Sequence, residues 1–142
     1  MITMIKTKVS HIEFNIDQKN MPFYRDLFTF LGWSVWIDES AMLIVGNEQN
    51  LSLGFNCPAK DHVNDYDGPG LNHLGLAVEA QSDVDEMVDY MKMRGIVPLF
   101  DTPRHRPEFA DKPGDTYYQV MFETPDRILL EVVYTGPKDA KV

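Results

Sequence analysis

The sequence predicts an α+β fold in which two βαβββ modules follow each other in tandem and form a cupped mixed sheet around a central site. Short stretches of alternating polar and apolar residues predict strands, and two longer stretches carry apolar residues at helical spacing. The order of one strand, one helix and three strands occurs twice within the 142 residues. We therefore expect a single domain, 1–142, built from two similar modules.

The first module is predicted over residues 8–56. Its opening strand, "SHIEFNI", places His11 and Glu13 on one side and apolar residues on the other. A helix follows, capped by Asn20 and ended by Gly32 in the left-handed conformation. Three short strands, "WSVWID", "AMLIVG" and "NLSLGF", complete the module.

The second module is predicted over residues 72–135, after a polar linker at 57–71 that is punctuated by prolines and glycines. Its first strand is "NHLGLAV". Ser82 is the predicted cap of the helix, which Gly95 ends. The strands "IVPLF", "TYYQVMFE" and "RILLEVVY" follow, and residues 136–142 are expected to form a flexible tail.

A long loop at 101–116 separates two strands of the second module and is absent from the first. It carries Arg104, His105 and Arg106, a basic cluster in an acidic protein. Two interpretations stay open: a lid that meets an anionic substrate, or a mobile solvated surface loop.

The candidate site rests on two histidines at equivalent places in the two modules, His11 and His73. Glu131 lies between apolar residues of the last strand, where an unpaired charge is costly and a partner is needed. Counting along both modules, with an allowance for the long loop, makes Ser52 the counterpart of Glu131. Two histidines and a carboxylate suit a divalent metal such as Fe, Mn, Zn or Ni.

These motifs resemble those of the vicinal oxygen chelate superfamily, which includes glyoxalase I, methylmalonyl-CoA epimerase, extradiol dioxygenases, fosfomycin-modifying enzymes and bleomycin-resistance proteins. The resemblance covers residues 8–135 and lies in "HIEFNI" before "FYRDLFTFLGW", in "NHLGLAV" before "VDYMKMRGIVP", and in "YYQVMFETPDRILLEVVY". It implies that His11, His73 and Glu131 are metal ligands. It also implies a homodimer, which light scattering would check by a doubled mass.

The chain departs from part of that superfamily at Ser52, where glyoxalase-type and epimerase-type members usually have Glu or Gln. The remaining three-ligand pattern looks more like that of the dioxygenases or fosfomycin enzymes. Glu13 is the predicted catalytic residue, because it shares a strand face with His11 at about 7 Å along the strand. It could act as a general base, orient a ligand, hold a cationic substrate or replace the missing carboxylate. An exposed strand glutamate is the simpler alternative.

The acidic composition excludes one class of partner. Asp and Glu outnumber Lys and Arg by 22 to 13, giving a net charge of −9 that repels phosphate backbones, so we expect no nucleic acid partner. No apolar run approaches the roughly 20 residues needed to cross a bilayer, and we expect a cytoplasmic protein without membrane contact. Cys57 is the single cysteine, which excludes an internal disulfide.

Two functions remain. The first is a metal-dependent lyase, isomerase or dioxygenase whose small-molecule substrate binds the metal through two neighbouring oxygens, with Glu13 transferring a proton. The alternative is a metal-free protein of the bleomycin-resistance type that sequesters a cationic drug-like ligand in an acidic cup. Metal analysis of the purified protein distinguishes them.

Overall fold

The computed structural model describes residues 3–139, and the chain divides into two compact units, Met1–His62 and Val63–Val142. Each unit holds one four-stranded mixed sheet and one α-helix in the order strand, helix, three strands. The predicted fold class of tandem βαβββ modules is confirmed. Within residues 3–139, neither helix has the length and apolar character that a membrane span requires.

The first unit contains five main elements. They are β1 (His11–Asn15), α1 (Met21–Phe30), β2 (Ser34–Glu39), β3 (Met42–Gly46) and β4 (Ser52–Asn56). The strand order in the sheet is β1-β4-β3-β2, in which β1 runs parallel to β4 and the other neighbours are antiparallel.

An aromatic core joins α1 to one face of this sheet. Phe55 of β4 lies 4.5 Å from Tyr24 of α1 and 5.4 Å from Phe14 of β1, measured between ring centroids. Gly32 ends the helix with φ +85°, as the sequence predicts. Asn20 is the N-cap residue of α1 as predicted, although its side chain makes no cap hydrogen bond. A 3₁₀ turn at Gln18–Asn20 precedes the helix, and Asp17 caps this turn by accepting from the Lys19 backbone N–H.

The second unit repeats the arrangement with longer strands. Its elements are β5 (Leu74–Val78), α2 (Gln81–Met93), β6 (Leu99–His105), β7 (Asp115–Glu123) and β8 (Leu129–Pro137). The strand order is β5-β8-β7-β6, and β5 runs parallel to β8. The buried apolar side of α2 comprises Val84, Met87, Val88 and Met91.

The predicted cap of α2 is wrong. The helix already includes Ser82, and Ala80 is the N-cap residue. The Asp83 carboxylate accepts a hydrogen bond from the Ala80 backbone N–H at 3.0 Å, which satisfies a donor at the helix start. Gly95, with φ +68°, follows the helix end as predicted.

The predicted long loop at 101–116 is shorter in the structure, because β6 extends to His105 and β7 begins at Asp115, which leaves residues 106–114 as the connection. Arg104 and His105 pair with β7. Thr102 bridges the break in this ladder: its Oγ1 donates to the Leu99 carbonyl at 2.6 Å and accepts from a β7 backbone N–H at 2.9 Å. A 3₁₀ turn at Pro107–Phe109 then leads to β7.

Part of the predicted linker packs on the second unit. Tyr66 is buried against Met121 and Leu129, and the Asn64 side chain donates to the Arg127 carbonyl at 2.8 Å. At the other end β8 continues past residue 135 to Pro137, so the described start of the predicted tail is strand. Residues 140–142 of that tail lie outside the described residues.

Candidate functional site

His11 and Glu13 lie on the face of the first sheet that points away from α1, which we call its helix-free face. Side chains alternate between the two faces along β1, and Phe14, next to Glu13, is buried in the aromatic core. His11 and Glu13 therefore lie on the opposite face. In the parallel ladder His11 is opposite Ser52, and Glu13 is opposite Gly54. His11 and Glu13 therefore lie on the strand next to β4.

The Glu13 carboxylate lies directly over Gly54. A Cβ built at Gly54 would overlap the carboxylate carbon and both oxygens of Glu13. The Asn56 side-chain amide is 3.5 Å from Glu13 Oε1, at the long limit of a hydrogen bond. The Glu13 carboxylate thus occupies the space that a side chain at position 54 would fill.

Glu131 is the buried carboxylate of the second unit. Glu131 lies within β8 and is only 3% exposed, although its side chain is an acid. Gly75 of β5 is its partner in the parallel ladder, and a Cβ at Gly75 would stand 3.1 Å from Glu131 Oε1. The absence of a side chain at Gly75 leaves room for the acid on this face.

Three side chains surround the Glu131 carboxylate. The Tyr117 hydroxyl lies 3.0 Å from each of its oxygens and donates to them, and the Gln119 amide donates to Oε2. His73 Nε2 lies 3.6 Å from Oε1. The two hydrogen-bond donors are neutral, so they orient the carboxylate without cancelling its charge.

The structure settles which of the two adjacent tyrosines faces this acid. Tyr117 does, and burial followed by its hydrogen bond to Glu131 raises the pKa of Tyr117 to about 12. Tyr118 points to the opposite side, where its hydroxyl donates to Asp85 of α2 at 2.6 Å. Gln119, two residues after Tyr117 on the same face, was absent from the predicted set, although strand alternation from Tyr117 would have found it.

The predicted pairing of Ser52 with Glu131 is wrong. Two residues after His11, Glu13 pairs with Gly54. Two residues after His73, Gly75 pairs with Glu131, so Gly54 is the counterpart of Glu131. Ser52, opposite His11, corresponds to a residue two positions before Glu131. Counting residues could not fix this, because the register of two strands depends on the ladder and not on loop length.

The residues of the basic cluster predicted at 104–106 have different surroundings in the structure. His105 turns inward, stacks on Tyr118 at 4.4 Å and bonds Thr116 Oγ1 through Nδ1 at 2.6 Å. Arg106 donates to Glu108 at 2.8 Å and lies over the Phe109 ring. That ring meets Tyr117 edge-on at 5.5 Å.

The second unit brings together two side chains of the kinds that divalent cations accept. A carboxylate and an imidazole nitrogen are both ligand types of such metals. Glu131 and His73 are the residues in question, and His11 belongs to the first unit. Within residues 3–139, no three His, Cys, Asp or Glu side chains are grouped so as to hold an ion.

Comparison with known proteins identifies the fold. No protein-family model matches the chain. A stretch of 64 residues is 41% identical to the uncharacterized protein YqjT of Bacillus subtilis (strain 168), covering 45% of this chain and 46% of that protein. The match therefore spans less than half the length of this relative.

Solved structures match nearly the whole chain. A candidate glyoxalase from Bacillus halodurans is 26% identical with a TM-score of 0.74, over 89% of this chain and 94% of that one. A glyoxalase/dioxygenase from Nostoc punctiforme is 15% identical with a TM-score of 0.67, over 96% and 99%. The fosfomycin resistance protein FosX from Listeria monocytogenes, solved with Mn(II) and sulfate, is 16% identical with a TM-score of 0.62, over 90% of each chain. These structures have the vicinal oxygen chelate fold, so the resemblance predicted from the sequence is confirmed.

Proposed function

We propose that this chain is a metal-dependent enzyme that acts on a small molecule bound through two neighbouring oxygens, with His11, His73 and Glu131 as the metal ligands. The observation that carries the proposal is the Glu131 carboxylate, which is buried in β8 beside His73. Two neutral donors, the Tyr117 hydroxyl and the Gln119 amide, orient it. Burying a carboxylate inside a sheet is costly, and a bound cation would offset that cost.

The likeness to FosX supports a divalent metal, because FosX was solved with Mn(II). A bound divalent ion would supply Lewis-acid polarisation of the substrate oxygens. The residues of the chain have separate tasks in this proposal. His11, His73 and Glu131 would hold the ion, and Tyr117 holds the orientation of Glu131. Glu13 transfers a proton to or from the substrate.

Metal content of the protein purified without an affinity tag tests the proposal. We expect near-stoichiometric Fe, Mn, Zn or Ni in the original chain, and a loss of most of that metal in His73→Ala and in Glu131→Gln. His62→Ala is the matched control, because His62 is an exposed histidine in the same chain and should leave the metal content unchanged.

Two results would contradict the proposal. If the original chain holds no metal and takes none up from Mn²⁺, Zn²⁺ or Ni²⁺ solutions, the metal-free binding of a cationic ligand becomes the better explanation. If His62→Ala lowers the metal content as much as His73→Ala does, binding is not specific to the site. Iron as the native metal would favour a dioxygenase over a lyase or isomerase.

A further inference from the structure

We infer that Arg104 binds an acidic group of the substrate. The inference rests on the proposed function and deepens it, because it names the substrate class: a small molecule that carries a carboxylate or a phosphonate besides its two neighbouring oxygens. Arg104, Glu131 and the side chains between them all belong to the second unit, Val63–Val142.

The ladder between β6 and β7 places Arg104 on the face of the second sheet that carries Glu131. Arg104 pairs with Gln119, and residues directly opposite each other in an antiparallel ladder lie on the same face. The Gln119 amide donates to Glu131, which fixes that face. The next rung agrees, because His105 stacks on Tyr118 on the opposite side, where α2 packs.

The distance between Arg104 and Glu131 suits a small molecule. β7 lies between β6 and β8, so the two backbones are roughly 10 Å apart across the strands. The rung of Gln119 reaches Val133, two residues from Glu131, which adds roughly 7 Å along the strands. An arginine side chain, a glutamate side chain and a small molecule between them can fill such a separation.

Other side chains of this face leave one direction for a ligand that is anchored at Glu131. Tyr66 forms a buried cluster with apolar residues of the three strands, which are Leu99, Met121 and Leu129. Met121 shares the rung of Glu131, so this cluster covers the face on that side. In the other direction along β7 the next residue of the face is Gln119, and Arg104 lies beyond it on β6. The ligand therefore extends toward Arg104 and away from Tyr66.

Arg104 is the one arginine of five that has neither an ion pair nor a ring contact within residues 3–139. The other four each contact a carboxylate or an aromatic ring, and they are Arg25, Arg94, Arg106 and Arg127. A backbone hydrogen bond and Arg106 lower the pKa of Glu108, and the charge of Arg104 adds a smaller contribution. Because Arg106 already holds Glu108 at 2.8 Å, the donors of the exposed Arg104 stay available to a ligand.

The charge of the protein explains why such a substrate needs Arg104. The chain carries a net charge of −9, and Glu131 adds a carboxylate on the same face, so an acid is repelled unless a positive group meets it. The planar guanidinium group of arginine matches the oxygens of a carboxylate or a phosphonate, with two parallel hydrogen bonds.

Calorimetric titration of the full chain with catechols tests the inference, because a catechol presents two neighbouring oxygens and its ring accepts different arms. The probes carry a neutral ethyl arm, an acetate arm or a methylphosphonate arm at the same ring position, and each is titrated with and without Mn²⁺. Arg104→Gln should weaken the binding of both acidic probes by roughly 10- to 100-fold, as expected for loss of a hydrogen bond between charged groups. The affinity for the neutral probe should not change.

Two further variants serve as controls. Arg94→Gln removes the same charge from an exposed position at the end of α2 and should leave all affinities unchanged. Arg104→Lys keeps the charge without the planar donor group and should recover part of the affinity for the acidic probes. Circular dichroism and thermal melting establish that each variant is folded.

Charge reversal gives the sharper test. Arg104→Glu should bind a catechol with an aminoethyl arm more tightly than the acidic probes, whereas the original chain should prefer the acidic ones. The same order of affinities in the original chain, Arg104→Gln and Arg104→Glu would overturn the inference. Tightest binding of the aminoethyl probe by the original chain would overturn it as well.

The results separate this inference from the proposed function. If the chain binds no metal, but Arg104→Gln still loses affinity for the acidic probes alone, the metal enzyme falls and the role of Arg104 stands. If the chain holds its metal and Arg104→Gln binds every probe like the original, the metal site stands and this inference falls. It also falls if no probe binds the original chain, with Mn²⁺ or without it.

Discussion

At the scale of single residues, the hydrogen bond between Tyr117 and Glu131 can be measured, because the Tyr117 hydroxyl donates to both oxygens of that carboxylate. We expect Tyr117→Phe to lower the free energy of unfolding by about 1.5 to 3 kcal/mol, the usual contribution of a hydrogen bond to a charged group. Urea unfolding of the metal-free protein measures it. Glu131 would keep the Gln119 donor, so the variant should still fold.

Tyr134→Phe is the control for this prediction. The Tyr134 hydroxyl donates to the Pro137 carbonyl at 2.7 Å in an exposed position, so its loss should cost about 1 kcal/mol or less. Equal losses in the two variants would show that the carboxylate of Glu131 gains nothing special from Tyr117.

Single residues also show how far the sequence could be interpreted. Glu131 stood out because an acid between apolar strand residues is unusual, and its burial agrees with that reasoning. Gly54 did not stand out, because a glycine in a short strand has many explanations and only the ladder shows what lies above it. Ser52 was wrongly predicted as the counterpart of Glu131, because the register of the strands is visible only in the ladder.

At the scale of elements, the start of α2 separates a sequence rule from the observed contact. We expect Asp83→Ala to lower the free energy of unfolding by about 0.5 to 2 kcal/mol, because the Asp83 carboxylate accepts from the Ala80 N–H at the helix start. Ser82→Ala should change it by about 0.5 kcal/mol or less. Urea unfolding of both variants checks this, and a larger cost for Ser82→Ala would restore the predicted serine cap.

Strand β6 shows which elements resist prediction. The alternation that identified β1 and β7 is interrupted in β6 by Phe100 and Asp101, both with positive φ, and then by Pro103. These features are typical of loops in a sequence. Thr102 restores the ladder through two hydrogen bonds that no local pattern indicates. The helices were easier, because their apolar spacing and terminal glycines are local signals.

For the whole molecule, His105 predicts how stability depends on pH. Burial, with a smaller contribution from the positive charge of Lys138, lowers the pKa of His105, whereas Asp85 acts in the opposite direction. Its Nε2 is buried without a hydrogen-bond partner in the described part of the chain. The native state therefore holds His105 neutral at pH values where the unfolded chain is protonated.

The sign follows from proton binding. Below the ordinary histidine pKa of 6.5 the unfolded state binds the extra proton, so the contribution of His105 to stability is complete above that value and is lost as pH falls through the lowered pKa. We expect the melting temperature of His105→Phe to fall less steeply between pH 7 and pH 5 than that of the original chain. The phenyl ring keeps a surface to stack on Tyr118. Parallel slopes would contradict the assignment.

Trp36 gives the molecule a built-in optical reporter. Its indole covers Gly46 on the helix-free face of the first sheet and is 49% exposed, while Gly46 pairs with Ser52 and Ser52 with His11. The other tryptophan, Trp33, meets Phe28 edge-on at 5.6 Å. Indole emission moves to shorter wavelength when water leaves the ring. A compound that binds over this face therefore shifts the emission of Trp36 and leaves that of Trp33 as an internal standard. Unlabelled compounds can therefore be screened by fluorescence before any reaction is known.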